Sequence, residues 1–467
     1  MSKKSLAYRA KRKLSRILKG KPAAKPGIDY NILLLTNRDS DNVGDQVIEA
    51  TDISLIQAAM KNLGIEQGRF KINSREAAIV PLDYVRSRDE ALLEKARKLI
   101  KKTDLVFFGG APLFNYLYQI FYERTATTIE IAKEYGKPVV FSAVGVERYD
   151  ENNPKCQRLK AALNLDNVKR ITTRDGFDKL QQYKENPDLL IDKVADPAVF
   201  SSRVFSDLIE KSRADSAASA EGKKKIGVFI IRANAFTDNK IDFPWRKAAD
   251  MWLGLADELE ARGYDYEFIT SGHFGDEAFL DRLIRSYQLP SAKCVFNVNC
   301  PEILMEHMAG YDAVISCRLH PSIISFSMGI PSISLVWNPK VRGFYESIGY
   351  PDRLIEAADL TPDKILDTVE KAMEGGVQHD KDYLMSVYRN IYCGLRDSLC
   401  IDDSGRTVYT YDELIANMPQ YKGTTEKEKQ LKLKRKFRRI YRTYNENFDK
   451  IESLKKELRE LKAQQKA

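Results

Sequence analysis

Residues 312–340, DAVISCRLHPSIISFSMGIPSISLVWNPK, do most to limit what this chain can fold into. Ala313-Val314-Ile315 is a short continuous apolar run, as a strand covered on both faces requires. Behind Pro321, the apolar stretch 322–328 predicts a helix that begins at a proline. Gly329-Ile330-Pro331 ends that helix, and a second apolar strand is expected over 332–337. Strand, loop, helix and strand in so short a span form one unit of a parallel sheet. The expected loop carries Arg318 and His320 just past the end of its strand. Ligands of open α/β sheets bind at such carboxyl ends. A guanidinium clamps carboxylate or phosphate, and an imidazole moves a proton near neutrality.

The same alternation runs through most of the chain. Strands are expected at 30–36, 102–108, 138–143, 168–172 and 189–191, with helices at 46–63 and 117–135. A second series starts at 226–232 and continues with strands at 266–270 and 294–296. Helices are expected there at 245–262, 276–288 and 301–309. This predicts an α/β fold of two Rossmann-like domains, 28–200 and 226–375, with a central cleft. The stretch 201–225, rich in Ser, Ala and charge, reads as a linker. A helical segment is expected over 376–421, followed by one long basic helix over 422–467.

Charge divides the chain unevenly. Residues 1–25 hold ten Lys or Arg and no acid, and the last 47 residues carry a net +9. The overall charge is also +9, so the body between is acidic at −10. Such a body does not read as a nucleic-acid binder, so no nucleic-acid partner is expected, although basic tails attract anionic surfaces of either kind, nucleic acid or lipid headgroups. In the arm 1–27, Leu6, Ala10, Leu14, Ile17 and Leu18 recur at helical spacing among basic residues. That pattern suits the inner face of an anionic membrane, and a solvated basic tail is the plainer alternative. In the long helix Phe437, Tyr444, Ile451 and Leu458 fall seven apart, and Ile440, Asn447, Leu454 and Leu461 follow three later. About four heptads predict a coiled coil and a homo-oligomer, against a single helix packed on its own body. The basic run 432–439 fits either lipid headgroups or solvent. Six Cys without a CxxC pair indicate a reducing compartment. No apolar run nears the roughly 20 residues that span a bilayer, and no secretory signal is visible, so a cytoplasmic place is expected. No phosphate loop, HExxH or GxSxG occurs, and neither a metal nor a cofactor is expected.

Further candidates stand at other strand ends. Asn42-Val43-Gly44-Asp45 follows the first strand, where Asn42 or Asp45 can also serve as a helix cap. Gly109-Gly110 ends the second strand, where bare N–H groups suit an anion or a sugar. Arg232 ends the first strand of the second domain, His273 follows the next, and Lys340 lies beyond the last. Of the four histidines, 273, 307, 320 and 379, His320 is the best placed for proton transfer and His273 the second. The residues alone support a two-domain α/β protein with an anion-binding, proton-transferring cleft.

Several of these segments, in this order and spacing, resemble the polysaccharide pyruvyl transferase family. Asn42-Val43-Gly44-Asp45 looks like its N-x-G-D turn, Gly109-Gly110 like its second element, and Thr173-Arg174-Asp175 like its R-D element. Arg318-Leu319-His320, with Gly329-Ile330-Pro331 and Lys340, is similar to its most recognisable block. The resemblance covers about 30–375 and neither the basic arm nor the heptads. It implies a fold like that of the GT-B glycosyltransferases. It also implies pyruvate transfer from phosphoenolpyruvate to two hydroxyls of a sugar, as a ketal; the basic arms add the expectation that this acceptor is a lipid-linked oligosaccharide. His320 would be the acid, and Arg318, Arg232 and Lys340 would bind the donor. Two other readings stay open: a nucleotide-sugar-dependent glycosyltransferase on the same fold, and a non-catalytic scaffold held by its coiled coil.

Overall fold

A computed structural model of the chain describes residues 27–116, 120–219, 222–232 and 234–464. The basic arm, apart from residue 27, lies outside them. The first sheet holds β1 (Tyr30–Thr36), β2 (Phe70–Glu76), β3 (Leu105–Gly109), β4 (Val139–Gly145), β5 (Val168–Asp175) and β6 (Leu190–Lys193). Their order is β2-β1-β3-β4-β5-β6, and each neighbouring pair is parallel. The second sheet holds β7 (Lys225–Phe229), β8 (Asp265–Ile269), β9 (Ala313–Ser316), β10 (Ser332–Leu335) and β11 (Leu354–Ile355), in the parallel order β11-β10-β9-β7-β8. The central strands read as apolar runs because helices cover both faces: β3 and β4 are buried along their whole length.

Seven helices set the site and its surroundings. They are α1 (Val43–Asn62), α2 (Phe274–Tyr287), α3 (Pro301–Ala309), α4 (Leu319–Ser327), α5 (Pro339–Ser347), α6 (Lys381–Leu399) and α7 (Glu426–Gln464). Seventeen of the twenty residues of α1 are buried, including Asp45, Glu49 and Asp52. A helix covered on all sides needs no apolar stripe. Here α1 lies between the first sheet, α6 and elements of the second domain. The chain returns to the first domain through α6. Tyr388 on α6 donates to Asn62 of α1 at 2.8 Å, and Ser386 accepts from the Ala195 backbone at 2.9 Å. One hydrophobic core therefore contains residues of both domains, from Ile32 and Val47 to Phe229, Ile324 and Leu395. Among the described residues, no helix is long and apolar enough to cross a membrane.

The structure departs from the sequence expectations in five places. Stretch 201–225 is mostly helical (Ser201–Val204 and Ser206–Ser219) and buries Phe205 and Ile209, so it is packed structure and not an exposed linker. The strand expected at 294–296 reduces to a single bridge between Phe268 and Cys294. Strand β2 had no sequence signal, because a partly exposed edge strand tolerates the polar run FKINSRE. His320 belongs to the first turn of α4, which starts before Pro321, with Arg318 at its cap position. The basic run 432–439 was expected to face lipid or solvent. Its Lys432, Arg435, Lys436 and Arg439 instead bond to side chains of the two domains.

Candidate active site

The two sheets point their carboxyl ends at one another, and the helices that follow β1 and β9 meet there. Asn42 caps α1, its side chain accepting from the Gly44 N–H at 3.4 Å. The Val43 N–H donates across the cleft to the Ser271 carbonyl at 2.8 Å. On the other side, Ser316 at the end of β9 fixes the backbone of Arg318, accepting from its N–H at 2.9 Å and donating to its carbonyl at 2.7 Å.

His320 is thereby pressed onto the start of α1. Its Nδ1 lies 3.2 Å from the Asn42 amide nitrogen. A Cβ at position 44 would overlap the His320 Cβ, Cγ and Nδ1, so only glycine fits beneath the ring. Nε2 of the imidazole is buried without a protein partner. Burial pushes the His320 pKa well below the usual histidine value, and Arg174, Lys340 and Arg318 push the same way. The imidazole is therefore neutral at neutral pH.

Each of those three cations has its own carboxylate. Arg318 grips Asp276 with Nε at 2.8 Å and Nη2 at 2.7 Å, beside the face of Trp337. Arg174 pairs with Asp196 and lies 3.6 Å from Asp175, and Lys340 pairs with Glu147. Asp45 sits under the same cluster. Burial raises its pKa to about 6, against the pull of Ser40, Arg174, Asn37 and Lys340.

A second corner gathers on Asp276, which is wholly buried. Besides Arg318 it accepts from the Arg232 N–H at 2.9 Å, and His273 Nδ1 lies 3.7 Å away. His273 caps α2 by accepting from the Gly275 N–H at 3.2 Å. Burial lowers its pKa to about 4, helped by Arg318, Arg232 and Arg439 and opposed by Asp276. The guanidinium of Arg232 turns outward to Asn234 and Asp238.

Asn42, Gly44, Asp45, Arg174, Arg318, His320 and Lys340 thus come together, with His273 and Arg232 at the adjoining corner. The glycine pair has another task. The Gly110 N–H is taken by the Ser142 carbonyl at 2.9 Å, and its φ of 46° is left-handed. A Cβ at 109 would strike the Asp52 carboxyl, and one at 110 would strike Ile48. Close packing of β3 on α1 explains both glycines. His307 pairs with Glu267, and His379 with the Phe326 carbonyl.

Sequence reasoning missed the carboxylates Asp276, Glu147 and Asp196, which lack any motif of their own. It also missed α7. From the far end of the chain, Arg439 pairs with Asp41 at 2.6 Å, Arg435 with Asp39, and Lys432 reaches Gln46 at 2.6 Å, all on the first domain. Lys436 pairs at 2.6 Å with Glu277 and bonds Asn299 at 3.0 Å, both on the second. The start of α7 is a strap across the rim of the cleft.

Two parallel-sheet α/β domains, with a C-terminal helix returning to the first and a polar site between them, define the GT-B architecture. Among solved structures the chain is similar to a protein from Listeria monocytogenes described as a UDP-N-acetylglucosamine 2-epimerase. That match has a TM-score of 0.50 at 10% identity and covers 83% of this chain and 100% of that one. It is also similar to UDP-GlcNAc 2-epimerase from Methanocaldococcus jannaschii, with a TM-score of 0.49 at 14% identity, covering 78% and 98%. No protein of curated function matches the sequence. A family model does: residues 42–339 match polysaccharide pyruvyl transferase, and the chain belongs to that family of transferases. The match begins at the residue that touches His320 and ends one residue short of Lys340.

Proposed function

We propose that this cleft transfers pyruvate from phosphoenolpyruvate to two hydroxyls of a sugar in a cell-surface glycan precursor. The products are a cyclic ketal and inorganic phosphate. The observation that carries this reading is a buried imidazole among three cations, His320 with Arg174, Lys340 and Arg318. Phosphoenolpyruvate carries its carboxylate and its phosphate on one carbon, C2, which suits a compact cluster of cations. Arg318 spends Nε and Nη2 on Asp276 and has Nη1 to offer the donor.

His320 delivers a proton to C3 of the donor while an acceptor hydroxyl attacks C2. Asp45, with a pKa of about 6, takes the hydroxyl proton. The C2–O bond to phosphate breaks, and the second hydroxyl closes the ketal at C2. Of the two hydroxyl protons, one replaces that spent on C3 and the other leaves with phosphate. Burial and, after it, the three cations keep His320 neutral; the donor's negative charges offset the cations, so the acid forms only when its substrate is present.

The ten basic residues within 1–25 suit an acceptor carried on an anionic membrane. Cosedimentation with anionic vesicles, with and without the arm, tests that point. For the reaction itself, the protein with phosphoenolpyruvate and a glycan acceptor should release phosphate in step with acid-labile bound pyruvate. His320→Ala should abolish both, and turnover that survives the substitution removes His320 from the mechanism.

A further inference from the structure

Beyond the strap, α7 carries an apolar face that none of the other described residues covers. Of twelve exposed large apolar side chains among the described residues, ten lie on this helix. Ile451, Leu454, Leu458 and Leu461 are each at least half exposed. They belong to the seam of alternating three- and four-residue steps that runs from Phe437 to Leu461. A seam with a seven-residue period follows a partner helix and drifts off a flat surface.

The flanking charges indicate the kind of partner. Residues 449–462 hold five basic and four acidic side chains. Some already pair along the helix, such as Lys455 with Glu452 at 2.8 Å and Lys456 with Glu460 at 4.0 Å. A mixed-sign flank suits another helix of the same composition. An anionic bilayer calls for one sign.

We propose that residues 437–461 pair with the same segment of a second copy of this chain, as a parallel, in-register, two-stranded coiled coil. Asn447 sets the direction. It is the polar member of the seam. In parallel register it meets the partner's Asn447, and the two amides satisfy each other. Antiparallel pairing about the middle of the segment sets Asn447 against Ile451 and buries an amide without a partner. Parallel pairing also brings Glu457 to the partner's Lys462, while Lys450 and the partner's Lys455 oppose each other. The seam starts one residue after Lys436, which the body holds through Glu277 and Asn299. Both clefts then stand at the same end of the coil.

Sedimentation of the full chain tests this. The expected particle has twice the 53.3 kDa chain mass, and Ile451→Asp with Leu458→Asp halves it without lowering the melting temperature of the body. Leu454→Cys, in a Cys400→Ser background, should cross-link two copies under mild oxidation. A monomeric native chain, a trimer, or a dimer indifferent to the two aspartates overturns the coiled coil. A dimer in which Leu454→Cys gives no cross-link overturns the parallel register. A monomer that binds phosphatidylserine vesicles, and loses them with the same aspartates, assigns the face to lipid instead.

Discussion

Gly44 lies directly beneath His320, and the two residues come from different domains. No side chain fits between them, since a Cβ at 44 would overlap the His320 Cβ, Cγ and Nδ1. Gly44→Ala must therefore displace the ring or part the domains. A shift of about 1 Å at a catalytic group costs on the order of 100-fold in rate. Steady-state kinetics should show that loss in kcat, and an unchanged kcat would separate His320 from the chemistry.

The Asp276 grip makes Arg318 more than a positive charge. A lysine at 318 keeps the charge but cannot span both carboxylate oxygens and still present a donor to the ligand. Hydrogen bonds to charged groups are worth about 1.5–3 kcal/mol. Arg318→Lys should weaken phosphoenolpyruvate binding by roughly 10- to 100-fold. Calorimetric titration reads this directly, and equal affinity in the two proteins removes the guanidinium from the donor site.

Donor binding should take up a proton. Burial and three cations hold the His320 pKa well below its ordinary value, so the ring is neutral at pH 7.5. Bound anionic groups raise it, and the complex gains a proton from the buffer. Titrations in buffers of different ionisation enthalpy, at a pH where phosphoenolpyruvate is fully ionised, should report net uptake. His320→Asn should abolish it. Proton release, or uptake that persists in the variant, contradicts the coupling.

The strap pairs differ in depth, and so should their worth. Lys436 and Glu277 are only 9% and 12% exposed, whereas Arg435 is 41% exposed. Removing one partner of a buried pair costs about 3–5 kcal/mol, and an exposed pair contributes about 0–1 kcal/mol. In chemical denaturation Lys436→Ala should be clearly destabilising and Arg435→Ala nearly silent. Equal effects would mean that α7 does not close on the rim as described.

What was legible in the sequence was whatever depends on local pattern. The apolar runs of β1, β4 and β9 and the periodic helix Pro301–Ala309 were readable because burial on both faces and helical spacing leave their mark within ten residues. Strand β2 was not, since half-exposed edge positions tolerate any polar residue. In the site, His320, Arg318 and Lys340 stood out at strand ends. Their carboxylates did not, because Asp276, Glu147 and Asp196 become partners only through long-range packing. Gly109-Gly110 misled, as a glycine needed for close helix packing looks the same as one needed for a ligand. The basic run 432–439 hid its role because its acceptors lie about 140 to 400 residues earlier in the chain.

If the cations around His320 hold phosphoenolpyruvate, the ligand protects the folded chain against heat. Phosphoenolpyruvate should raise the melting temperature of the full chain in a concentration-dependent way, and should do so far less for Arg318→Ala. A panel of UDP-sugars should have no effect. Stabilisation by a UDP-sugar with none from phosphoenolpyruvate would instead make the cleft a nucleotide-sugar site.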